Sequence, residues 1–119
     1  MSDTLIFLCG VFALIVALFH LCFWRLFGWP NRLKGSGHLN AAITQVMNIM
    51  LIYVFATYGA TLLWLGPLTP ALLLAAGAWF IALRLGLQPG MFDVTNRGSQ
   101  TLMLVGVAGL CIHVFAILG

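Results

Sequence analysis

Glutamate is absent from this sequence of 119 residues, and its two acids are both aspartates, Asp3 and Asp93. A proton antiport that runs on a membrane-embedded carboxylate therefore has no candidate residue, and no pair of carboxylates stands at metal-ligand or acid–base spacing. Cysteine is scarce: Cys9, Cys22 and Cys111 are odd in number and show no CxxC spacing, which excludes a disulfide framework and a thioredoxin-type redox pair. All three fall in predicted spans; Cys9 and Cys111 would both sit in the outer half, so a bridge between them is conceivable, but two small buried hydrophobes is the preferred reading. No HxxxH pattern, phosphate loop or nucleophile–base pair at local spacing occurs. Charged residues make up only 6% of the chain against 63% hydrophobic ones, so it lacks the polar surface that a water-soluble domain needs.

What is present is apolar length. Four runs, at about residues 5–27, 40–65, 70–87 and 97–118, each approach the roughly 20 residues that cross a hydrocarbon core. They predict an all-α membrane protein: one four-helix transmembrane domain over residues 1–119, with no room for a soluble domain. The first run is not a cleavable signal, because Met1 to Thr4 carry no positive charge and the apolar stretch to Phe27 outruns a signal's hydrophobic region. Orientation follows from the cations. Arg25, Arg32 and Lys34 border the first connection, Arg84 and Arg97 the third, and the second (Gly66, Pro67, Leu68, Thr69) is uncharged. The positive-inside rule puts the basic connections in the cytoplasm and both termini in the periplasm, as expected of a multi-pass protein of a bacterial inner membrane. Five cations in short juxtamembrane stretches are accounted for by topology and anionic headgroups, so nucleic acid is not an expected partner.

Within the spans, small and polar residues share faces. Gly10, Ala13, Ala17 and His20 form one stripe of the first span, and Ala41, Gln45, Asn48, Ile52, Ala56 and Gly59 one stripe of the second, with Thr44 beside it. Ala71, Ala75, Ala78 and Ala82 give the third span a smooth face nearly opposite Arg84 and Gln88, and two usable faces suggest a homo-oligomer or a subunit of a larger membrane complex. In the fourth span Ser99, Leu102, Gly106, Gly109 and His113 share a stripe. Amides facing hydrocarbon would lack partners, so the polar stripes should face protein or a cavity.

Counted at about 1.5 Å per residue, His20, Gln45 and Asn48 all lie roughly 8–12 Å inside the cytoplasmic boundary. Two readings of this cluster stand. In one, His20, Asn40, Gln45, Asn48, Arg84 and Gln88 line a cytoplasmic-side pocket for a lipid headgroup or small amphipathic ligand, with His20 as base or donor. In the other, the cluster is a register-fixing hydrogen-bond network and the chain an accessory subunit. Arg84 either pairs with Asp93, snorkels to the surface or takes a phosphate. His113 lies about 12 Å from His20 in depth within a core of roughly 30 Å, so the two cannot share one haem iron, and no cofactor or metal is expected. His113 is expected to be packed and hydrogen-bonded, and His38 solvated.

Two resemblances attach to these residues. The string His20, Trp24, Trp29, Asn40, Gln45, Val46, Met47, Asn48, Arg84, Gln88 and Phe92 resembles a group of small bacterial inner-membrane proteins of unassigned function; it covers most of the chain and implies no activity. The start of the second span is distantly similar to the membrane-associated eicosanoid and glutathione metabolism family, whose arginine-x-histidine-x-asparagine-x-x-glutamate motif falls on Ser36, His38, Asn40 and Ile43. That likeness implies a small transferase with a cytoplasmic-side glutathione site. Only the histidine and asparagine match, and Ser36 and Ile43 stand where the family has arginine and glutamate. Small multidrug exporters share the length and span count but depend on a glutamate in their first span, which this chain lacks.

Overall fold

A chain crossing hydrocarbon must satisfy its backbone internally, and a helix does so within one segment. The computed structural model, which describes residues 3–91 and 97–119, is accordingly all helical over those residues. Its elements are α1 (Asp3–Leu21), α2 (Phe23–Leu26), a 3₁₀ turn (Asn31–Ser36), α3 (His38–Leu65), a short 3₁₀ turn (Gly66–Leu68), α4 (Ala71–Met91) and α5 (Arg97–Leu118). Four of these helices are long and apolar enough to cross a membrane. Phe92, Asp93 and Asn96 lie outside the described residues, so the expected pairing of Arg84 with Asp93 falls there too. Threonines inside the helices satisfy their hydroxyls locally: Thr44, Thr57, Thr61 and Thr101 each donate to the carbonyl four residues earlier.

The chain divides into two compact units, Gly10–Thr61 and the remainder. In Gly10–Thr61, α1 and α3 run antiparallel at very close approach. Gly10, Ala13 and Ala17 are buried, as is Gly59. A Cβ placed on Gly59 would lie 2.7 Å from the Gly10 carbonyl oxygen and 2.9 Å from Leu14 Cγ, so only glycine lets these backbones meet.

The expected first span to Phe27 is interrupted. α1 stops at Leu21, and the Cys22 N–H is shared between the carbonyls of Leu18 (3.2 Å) and Phe19 (3.1 Å). The N–H groups of Arg25 and Leu26 then both turn to the Cys22 carbonyl, at 3.1 and 2.9 Å. The physical reason is a side chain inserted into the ladder, since Asn48 Nδ2 takes the His20 carbonyl at 2.8 Å. Past α2 the chain turns at Gly28, whose φ of 65° suits glycine, and enters α3 after Gly37 at φ 96°.

In the other unit, α4 packs on α5. Leu85 lies over Gly106, where an added Cβ would come 2.7 Å from Leu85 Cδ2. Ser99, Gly109, His113 and Ala116 are buried on α5; the first three were expected on one face with Leu102 and Gly106, which are half-buried. On α4 the buried residues are Leu74 and Gln88, while Ala75, Ala78 and Ala82 are half-buried and Ala71 is exposed. The third span was expected to end near Leu87; α4 instead continues through Pro89 to Met91. Pro89 has no N–H, so its own rung of the ladder is missing. Cys9 is buried, Cys22 and Cys111 are exposed, and all three are free thiols.

Candidate functional site

Antiparallel pairing of α1 with α3 brings residue pairs together in steady register: Gly10 with Gly59, His20 with Asn48, Trp24 with Gln45. The last two pairs are polar. Trp24 lies in α2, beyond the break at Cys22, and still meets α3 at Gln45, three residues before Asn48.

The geometry around Asn48 fixes its chemistry. Its Nδ2 must be the end that meets the His20 backbone carbonyl, because a carbonyl only accepts. Its Oδ1 is then the end 2.8 Å from His20 Nδ1, which must carry the hydrogen. With Nδ1 carrying a hydrogen, the neutral form of this imidazole would have its lone pair on Nε2. One buried amide, 4% exposed, thus holds both the backbone and the ring of a single histidine. Phe55 stacks on that ring at 5.2 Å between centroids, Phe23 lies at 4.4 Å and Phe19 meets it edge-on at 6.0 Å.

Gln45 is as fully engaged. Its Oε1 accepts from the Trp24 indole N–H at 3.1 Å, and its Nε2 donates to the Ala41 carbonyl at 3.1 Å. Trp24 in turn packs edge-on against Trp29 at 5.9 Å, and Trp29 also meets Phe23 at 5.8 Å and Phe27 at 5.9 Å. Aromatic pairs at such spacings add stability beyond the area they bury. Arg25, Arg32 and Lys34 stand exposed next to this cluster in the chain, and no acid occurs anywhere between Gly10 and Thr61. His38 and Asn40 are also exposed, in the first turn of α3.

Arg84 and Gln88 belong to the α4–α5 unit. Gln88 is 1% exposed; its Oε1 accepts from the Arg84 guanidinium and its Nε2 donates to both the backbone oxygen (3.1 Å) and the hydroxyl (2.8 Å) of Ser99. An exposed arginine is thereby steered by a buried amide that is itself anchored on α5. His113 is buried, with Nδ1 donating to the Gly109 carbonyl of its own helix at 2.8 Å. Among the described residues no three His, Cys, Asp or Glu side chains gather as a metal site would require.

Of the residues expected from sequence, the structure joins His20 to Asn48 and Arg84 to Gln88, gives Gln45 the partner Trp24, and leaves Asn40 exposed at the helix start. Sequence reasoning gave no contact role to Phe23 and Phe55, which flank the imidazole. The spacing of Phe23, three residues after His20, carried a signal; that of Phe55 did not. No protein-family model matches the chain, nor does any curated protein or solved structure.

Proposed function

We propose that this is a non-enzymatic multi-pass protein of a bacterial inner membrane, with both termini periplasmic, whose cytoplasmic end binds a lipid headgroup or small amphipathic molecule. The observation that supports the reading is the sequence of features in one α1–α3 hairpin: an amide–imidazole lock, an aromatic cluster, and three exposed cations without an acid. Asn48 and Gln45 have both ends of their amides committed to protein, so in this reading they and His20 hold the frame. The ligand then meets the connection that the frame positions, together with Asn40 at its far edge. Arg84, steered by Gln88, is a separate contact for the same class of ligand, suited to bidentate phosphate recognition.

The test is retention of native amphiphiles. The full chain, extracted in mild detergent and washed, should carry bound lipid detectable by native mass spectrometry, and Asn48→Leu should reduce that retention by freeing the frame. A wild-type chain that carries nothing under conditions where a control membrane protein keeps its lipids would end the proposal. A second protein in fixed ratio, with no lipid, would instead indicate an accessory subunit.

A further inference from the structure

The first connection joins two features that few ligands satisfy together. Its cations, Arg25, Arg32 and Lys34, are exposed, and so are the apolar side chains between them, Leu26 at 57% and Phe27 at 42%. A free phosphate would meet the charges and leave the apolar surface uncovered; a neutral lipid would do the reverse. The connection is also built rather than slack. The Arg32 N–H donates to the Gly28 carbonyl at 3.0 Å, and the Arg32 side chain lies back across Gly28, with Cγ, Cδ and Nε each 3.1 Å from where a Cβ would stand. Gly28 has the positive φ that glycine favours, and Trp29 beside it is held by three aromatic rings.

We propose that residues 22–37 form a shaped site for an anionic phospholipid, in which Arg32, laid along Gly28, meets the phosphate, Arg25 and Lys34 flank it, and Leu26 and Phe27 face the acyl chains. This rests on the amphiphile-binding reading above and gives it a ligand class. A guanidinium whose stem already lies along Gly28 has fewer orientations to lose on binding a phosphate than one on a free stem, which is the physical use of the close seat on Gly28.

The experiment offers the full chain in detergent an equimolar mixture of phosphatidylglycerol and phosphatidylethanolamine, then washes it and quantifies what is retained. Phosphatidylglycerol should be enriched. Removing one cation, as Arg32→Gln, should lower the enrichment about fivefold. Gly28→Ala keeps every charge but places a methyl group where Arg32 lies, and should also lower it. Because either variant could fold poorly, the wild type is washed at about 0.1 M and about 1 M NaCl, which shortens the Debye length from roughly 10 Å to roughly 3 Å and should erase most of the preference. Enrichment that survives high salt, or either variant in a chain of unchanged helicity, overturns the site. Equal retention of the two lipids by the wild type overturns it while leaving amphiphile binding intact. Retention of neither lipid overturns both.

Discussion

His20 and His113, each within a long apolar helix, are the simplest way to compare the two units. His20 bonds across to α3 through Asn48, whereas His113 bonds back to Gly109 on its own helix. The first bond ties two helices together; the second stays within one. The glycines differ in parallel. Gly59 meets backbone, at the Gly10 carbonyl, while Gly106 meets the end of the Leu85 side chain. Both pairs have a polar tie between helices, through Asn48 in one and Gln88 in the other, but the steric constraint is harder in the α1–α3 hairpin, where the glycine meets backbone.

The largest expected effect tests the steric half of that contrast. Gly59→Ala should cost about 1–3 kcal/mol, because backbone cannot step aside for a methyl group. Gly106→Ala should cost less than about 1 kcal/mol, since Leu85 can rotate and alanine is the better helix former. Reversible unfolding in mixed micelles measures both, and equal costs would erase the distinction between the pairs.

A smaller effect tests the polar half. A double-mutant cycle of His20→Ala and Asn48→Ala should show a coupling of at least about 0.5 kcal/mol, as partners in one network do. A control cycle of Asn48→Ala with Thr57→Ala, whose hydroxyl donates to the Tyr53 carbonyl on the same helix, should be additive within error. Additivity in the first cycle would mean that the lock carries no energy, and the frame assigned to the proposed site would go with it.

The smallest effect sharpens the comparison at the α3–α4 turn. Thr69 is 2% exposed, and its hydroxyl has no partner among the described residues. Replacing it by valine removes a buried, unmet polar group at nearly constant shape. Thr69→Val should change stability by less than about 1 kcal/mol, and in the stabilising direction. A clear loss in the same unfolding measurement would show that the hydroxyl has a partner.

Much of the secondary structure was legible because hydropathy and helix periodicity are local properties. The helix α5 ends where the fourth apolar run does, at Leu118. The stripes from Gly10 to His20 and from Ala41 to Gly59 were legible for the same reason: i, i+3 and i+4 spacing marks a face whatever the partner is. The break at Cys22 was not, because it is made by an amide 28 positions along the chain from the histidine it binds. Nor was the role of Gln88, whose spacing with Arg84 marks a face but not what that face meets; α5 meets it, through Ser99. For the candidate site, depth counting placed His20, Gln45 and Asn48 at one level. It could not say that their amides would be spent on protein, since that depends on the register of two helices.

The slipped rung at Cys22 bears on the order in which the protein is made. During synthesis α1 enters the bilayer before α3 exists, and in that interval nothing outside the helix claims the His20 carbonyl. The emerging segment is then expected to run straight through Cys22, closing its own ladder as an isolated span in lipid must. Arrival of Asn48 exchanges an internal bond for one between helices, and only then does the chain bend into α2 and set the aromatic turn in place. The first connection is thus shaped after insertion rather than during it. A ribosome-stalled fragment ending before Asn48 would carry its three cations on an unbent helix.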